Sequence, residues 1–175
     1  NIYLGEGQEQ VMVASYPIGL GELNTTPTGM FMVRPSSKLI DPEWRNPRTG
    51  EFFQSNDPKN PIGERWIGLK GMEPHNKNFE GYGIHGTVED DSIGQQRSMG
   101  CVRMHAKDVE LVYEMLTEPN STITIAPSPS IPMAIAMPPS DIRLAEIPRN
   151  PMPSTATNAQ IGSDNATMNA VRKLP

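Results

Sequence analysis

The chain has 175 residues, a net charge of −5, 18 prolines and one cysteine, a length that fits one domain of roughly 100–200 residues with an appendage. A single cysteine excludes an intramolecular disulfide framework and a Cys-x-x-Cys metal site. The acidic balance, with 15 Lys and Arg scattered along the chain, offers no electrostatic footprint for nucleic acid. Neither an apolar run of about 18 residues nor a basic segment leading into an apolar one is present, so the chain reads as neither membrane-spanning nor carrying a signal peptide. Its start at Asn1 without Met points to a processed or excised fragment.

In chain order, Asn1 to Leu4 reads as the end of a strand and Gln10 to Tyr16, stopped by Pro17, as its hairpin partner across Gly5–Glu9. Gly19 to Gly29 is a turn-rich loop, and Met30 to Arg34 is a strand ending at Pro35. The Pro-, Asn- and Asp-rich stretch from Ser36 to Asn60 holds Trp44, Phe52 and Phe53, which predicts an ordered functional loop anchored by its aromatics. Further strands are expected at Arg65–Leu69, Gly83–Thr87 and Cys101–Met104. Between Ala106 and Leu116, with an end near residue 117, Val109, Val112, Met115 and Leu116 recur at helical spacing and predict an amphipathic helix. The alternating, β-branched Ser121 to Ala126 is a last strand.

These elements make residues 1–126 a mostly β domain with one helix. All aromatic residues lie at or before Tyr113, and residues 127–175 are rich in Pro, Ser and Asn. Such a composition buries too little apolar surface to offset chain entropy, so a flexible tail or linker is expected there. Within it, Ile131 to Met137 has the apolar content to dock on the domain.

The chemistry concentrates between Gly83 and Asp108, which contains Cys101, His85 and His105, with Gly86 directly after one His and Gly100 directly before the Cys. Thiol nucleophilic catalysis needs an imidazole to take the proton, a group that orients the imidazole, and N–H donors for an oxyanion. If the strands around His85 and Cys101 lie side by side, both side chains can share one site. Gly100 would then let a substrate carbonyl approach the Met99–Cys101 amides, and Gly86 would leave room behind the ring. The plain alternative is a buried structural thiol beside a core histidine.

The order His85-Gly86-Thr87, Ser92-Ile93-Gly94, Ser98-Met99-Gly100-Cys101-Val102-Arg103-Met104 and Asp108-Val109 resembles the signature of the L,D-transpeptidase (YkuD-type) family. The resemblance extends to Tyr16-Pro17, Gly19 to Gly21, Thr26-Pro27-Thr28-Gly29, and Asn60-Pro61-Ile62-Gly63 with Trp66 to Leu69, and so covers about residues 1–126. Met99 stands where many family members carry a His, which leaves His85 as the candidate base.

The resemblance implies a β-sandwich of mixed sheets and a bacterial cell-envelope enzyme without cofactor or metal that acts on peptidoglycan stem peptides. Cys101 would acylate on a stem tetrapeptide with release of D-alanine, His85 would carry the proton, and the Gly86 carbonyl would hold the imidazole tautomer. Amides of Gly100, Cys101 and Met99 would form the oxyanion hole. An acceptor amine then gives a cross-link, and water gives an L,D-carboxypeptidase. A carbapenem β-lactam would acylate the same thiol.

Arg103 is expected to bind a substrate carboxylate or to pair with Glu89, Asp90 or Asp91. Tyr82 is expected to line the cleft or to pack. Ser98 reads as a turn or hydrogen-bonding residue near the substrate, and Thr87 joins the substrate-binding candidates. The acidic run Glu89-Asp90-Asp91 is a solvated loop or an attractor for the acceptor amine. His75 and His105 read as loop and surface residues. Competing classes are a catalytically silent peptidoglycan-binding module and a papain-like hydrolase, but the latter places its Cys at a helix start ahead of its His.

Overall fold

The computed structural model describes residues 1–118 and 120–127 and, as backbone, a strand at Met168–Arg172. The strands in chain order are β1 (Ile2–Leu4), β2 (Val11–Ala14), β3 (Leu20–Gly21), β4 (Gly29–Ile40), β5 (Trp44–Arg45) and β6 (Phe52–Phe53). They continue with β7 (Arg65–Gly71), β8 (Gly83–His85), β9 (Gln96–Ser98), β10 (Val102–Arg103), β11 (Ser121–Ile125) and β12 (Met168–Arg172). One α-helix, α1 (Ala106–Met115), precedes β11. Among the described residues β10-β8-β7-β4-β11-β12-β1-β2 form one mixed sheet of eight strands, beside the small pairs β3–β9 and β5–β6. Among the described residues the architecture is therefore a mostly β fold with mixed sheets and a single α-helix.

Three differences from the sequence expectations have physical causes. The strand expected to stop at Pro35 runs on to Ile40, because the chain bulges between Val33 and Lys38 and then rejoins the β7 ladder. Pro35, which has no N–H to donate, and Ser36, at φ 56, both sit in that bulge. The expected loop over 36–60 contains the end of β4 and the β5–β6 hairpin, in which the Trp44 and Phe53 rings lie 5.9 Å apart. Finally, Met168–Arg172 pairs parallel with β1 and antiparallel with β11, so these five residues are a sheet strand and not tail. The remainder of the expected tail, including Ile131–Met137, lies outside the described residues.

Alternation assigns the two faces of the sheet. Ile67, Ile84 and Val102 stand opposite one another across β7, β8 and β10, and each is almost fully buried. With Phe31, Val33, Leu69, Ile123 and Ile125 they form a core that Val109, Val112 and Leu116 cover from α1 and the residue after it. The register partners one residue earlier on β7 and one later on β8 and β10, Trp66, His85 and Arg103, make a second row on the opposite face.

The end of α1 is tied to the β4 bulge by charge. Glu118 accepts the amide N–H groups of Ser36 at 2.8 Å and of Ser37 and Lys38 at 3.2 Å. These bonds, that to Ser36 foremost, hold its carboxyl below the usual carboxylate range. The Lys38 ammonium donates to the carbonyl of Leu116 at 2.8 Å and to that of Tyr113, where the helix exposes unpaired acceptors. Glu118→Ala is expected to lower stability by about 1–2 kcal/mol, since three bulge amides lose a charged acceptor. A urea titration reads this as a lower midpoint at unchanged slope.

Candidate active site

The site grows from the Trp66–His85–Arg103 row. His85 is 4% exposed, and its Nδ1–H donates to the adjacent Gly86 carbonyl at 2.5 Å. Trp66, its cross-strand partner, stacks on the ring at a centroid distance of 5.7 Å and an interplanar angle of 16°. The indole lies flat because Gly83 has no side chain: a Cβ there would come within 2.7 Å of the Trp66 ring. Burial drives the His85 pKa down to about 4, with the Arg103 charge adding to the effect and the Gly86 hydrogen bond opposing it. At neutral pH the ring is therefore uncharged. With Nδ1 donating to Gly86, the lone pair lies on Nε2.

Cys101 precedes β10, and its position in the parallel β8–β10 register places it on the face that carries Arg103 and His85. Cys101 is half-buried and unbridged, and its Sγ contacts the Gly81 carbonyl at 3.6 Å. Burial pushes the thiol up, while the Gly83 amide and the Arg103 charge pull it down. The resting pair is a neutral thiol beside a neutral imidazole.

The turn before the thiol is internally braced. The buried Ser98 hydroxyl donates to the Cys101 carbonyl at 2.6 Å and accepts the Gly100 N–H at 3.1 Å. Ser98 thus shapes the turn, and it also lines the cleft. The Gly100 amide, expected to face an oxyanion, is spent on Ser98. The amides of Met99 and Cys101 make no hydrogen bond among the described residues. Gly100 is also required by local packing. It adopts φ 127, and a Cβ on it would lie 2.7 Å from Tyr82 Cε1 and 3.1 Å from the Thr25 carbonyl. Its bareness therefore accommodates Tyr82 and the Thr25 carbonyl. Gly100→Ala is expected to cost about 1–3 kcal/mol and to displace the thiol. Adding Tyr82→Leu should recover only the steric part, as thermal midpoints of the single and double variants will show.

The cleft is lined by His85, Ser98, Met99, Cys101 and Arg103 from below, and by Trp44, Pro47, Pro61, Ile62, Trp66 and Gly81 around them. Tyr82 packs on Gly100 and against Phe79, with ring centroids 5.9 Å apart. Thr87 is buried and accepts the Glu89 N–H at 3.0 Å, which makes it a turn residue and not a cleft residue. Arg103 lines the cleft and also pairs with Glu89 at 2.6 Å. The acidic run is committed in the same way, because Asp90 meets His105 at 3.0 Å and Asp91 meets Arg97 at 2.7 Å. His75 contacts the Thr28 carbonyl at 3.1 Å, away from the cleft.

Trp66, Trp44 and Pro47 were not singled out as site residues by the sequence. Two sequence elements outside the Cys motif now have a structural reason. Asn60 is buried and ties the Pro42 carbonyl, at 2.8 Å, to the Ile62 amide, at 3.3 Å, which sets the base of the hairpin against the cleft wall. Thr26 accepts the Gly21 amide at 2.7 Å and so fixes the end of β3 beside β9.

One cleft thus holds a thiol on a braced turn and a neutral, tautomer-fixed imidazole. Residues 2–157 match the L,D-transpeptidase catalytic domain (YkuD) family, and the chain belongs to that family. The matched span runs past Ala126, where the domain was expected to end. YqjB of Bacillus subtilis (strain 168), assigned as an L,D-transpeptidase, is 34% identical over 58% of this chain and 53% of its own length. YkuD of the same organism, assigned likewise, is 33% identical over 56% of this chain and 44% of its own length. The chain thus spans about half the length of these curated relatives. L,D-transpeptidase 3 from Mycobacterium tuberculosis, solved with a faropenem-derived adduct, is 14% identical over 66% of this chain and 54% of that one, with a TM-score of 0.41.

Proposed function

We propose that the protein is a peptidoglycan L,D-transpeptidase of the bacterial cell envelope. The observation that carries this reading is the His85 Nδ1–Gly86 carbonyl bond, which leaves Nε2 as a base in the cleft that holds Cys101. The Cys101 thiol turns from the Gly81 carbonyl to His85 and gives its proton to Nε2 as Sγ attacks the carbonyl before the terminal D-alanine. The oxyanion is received by the Cys101 and Met99 amides. The C–N bond then breaks, the leaving D-alanine amine takes the proton from His85, and a thioester remains on Cys101. An amine from a second stem attacks the thioester, the new amide forms, and the thiol recovers its proton through His85.

Arg103 supplies the cation for a carboxylate of the bound stem, and Trp44, Pro47 and Trp66 give its apolar portions a wall. A carbapenem, whose strained lactam is an acyl donor, meets the same thiol. Incubation with purified stem tetrapeptide, followed by chromatographic separation of products, tests the reading. Cross-linked dimer with free D-alanine is expected. Tripeptide alone would assign an L,D-carboxypeptidase, and an unchanged tetrapeptide would leave a silent binding module.

A further inference from the structure

The three consecutive acids Glu89, Asp90 and Asp91 each meet a different basic side chain, but the pairs are not alike. Asp91–Arg97 and Asp90–His105 are exposed on both sides, and pairs of that kind contribute little. The Arg103 side chain is only 14% exposed and lies in the cleft with Cys101 and His85. Its backbone is locked from both directions. Its N–H and carbonyl exchange hydrogen bonds of 2.8 Å with Gly19, and on the other side it stands in register with His85.

A locked backbone does not place a guanidinium at the end of a flexible stem. The acceptor that does so is Glu89 Oε2, 2.6 Å from a terminal nitrogen, while Arg103 Nε is buried without a hydrogen-bond partner. Glu89 is held in turn, because its N–H donates to the buried Thr87 hydroxyl at 3.0 Å, and Thr87 follows directly on His85-Gly86. A short path thus runs from the imidazole strand through Thr87 and Glu89 back to the cation beside the thiol.

We propose that Glu89 is a positioning residue: its carboxylate, seated by Thr87, holds the Arg103 cation beside the Cys101–His85 pair. The consequence for acylation rests on the function proposed above, whereas the positioning does not.

The groups facing the thiol are His85 and the Gly83 amide from β8, Arg103 from β10, and the Gly81 carbonyl from the segment entering β8. Glu89 stands behind Arg103, and the Glu22–Arg48 pair joins the β5–β6 turn to the residue after β3. Arg103 is the cation that pulls the thiol down, so the direction of a shift reports where that cation goes.

Because the chain has one cysteine, the pH profile of iodoacetamide alkylation reads Cys101 directly and needs no peptide substrate. If Glu89 holds Arg103, Glu89→Gln releases the guanidinium to solvent and moves the alkylation midpoint up by about half a pH unit or more. Arg103→Gln should move it in the same direction, the double variant should add nothing further, and Glu89→Asp should restore most of the wild-type midpoint. A downward shift in Glu89→Gln means that Arg103 stays in place as an unopposed cation; that result, or no shift at all, overturns the proposal. Thr87→Val provides a second reading, with a smaller upward shift expected, should Glu89→Gln fail to fold. A protein that passes this test yet leaves stem tetrapeptide untouched would keep the positioning role and lose the proposed function.

Discussion

Replacing His85 with alanine is expected to slow acylation of Cys101 by about 10²–10⁴-fold, the span that general acid–base catalysis contributes. The ring is not one donor among several. Burial keeps it neutral, the Gly86 carbonyl takes its Nδ1 proton, and Trp66 holds its plane from one side. Removing it deprives a thiol whose pKa burial has raised of the group that would take its proton. The rate of carbapenem adduct formation, followed by intact-protein mass spectrometry, measures the loss. Trp66→Leu keeps the base and disturbs only its plane, so its effect should be several-fold smaller. A His85→Ala protein that acylates within about tenfold of wild type would mean that the proton leaves by another path.

The second large effect is on stability, and it comes from the same ring. His85 is held down at about 4 against an ordinary value of 6.5. Above pH 6.5 the ring is neutral whether the chain is folded or unfolded, so it does not make stability depend on pH. As the pH falls from 6.5 toward 4, the unfolded chain takes up a proton that the folded one refuses, so stability is lost through this window, and below it the loss is complete. Its full size is about 3 kcal/mol. His85→Gln removes the linkage. The difference between wild-type and variant urea stabilities should therefore change across that window and be flat above it. Carboxylates such as Glu118 titrate equally in both proteins and cancel in the difference. Parallel profiles across the window would contradict a buried, neutral His85.

The parts of the site that could be read from the sequence are those built from neighbours in the chain. Ser98, Gly100 and Cys101 brace one another inside a single turn, and His85 bonds the carbonyl of the next residue, so the strings around them carry their own geometry. The helix was readable for the same reason, since Val109, Val112 and Leu116 face one way through helical spacing alone.

What depends on register was not readable. Nothing local to Trp66 says that it will lie opposite His85, because a shift of one residue on β7 would have put Ile67 there and turned the indole into the core. The proline-rich stretch after Pro35 misled for a related reason. Its turns are real, but a bulge lets β4 resume beyond them, and the β5–β6 hairpin brings Trp44 and Pro47 to the cleft. Strand β12 had the weakest signal: Val171 is its only β-branched residue, and its partners β1 and β11 are distant in sequence. Tertiary pairing, not intrinsic propensity, makes it a strand.

The identity of the thiol as the acyl carrier is tested most directly by the mass of the folded protein during turnover of a stem tetrapeptide. The expected result is a transient increase equal to the tripeptide acyl group, located on Cys101 by peptide mapping, with stoichiometric release of D-alanine and no such increase in Cys101→Ala. A tetrapeptide consumed by Cys101→Ala, or an acyl group mapped to any other residue, would contradict the account.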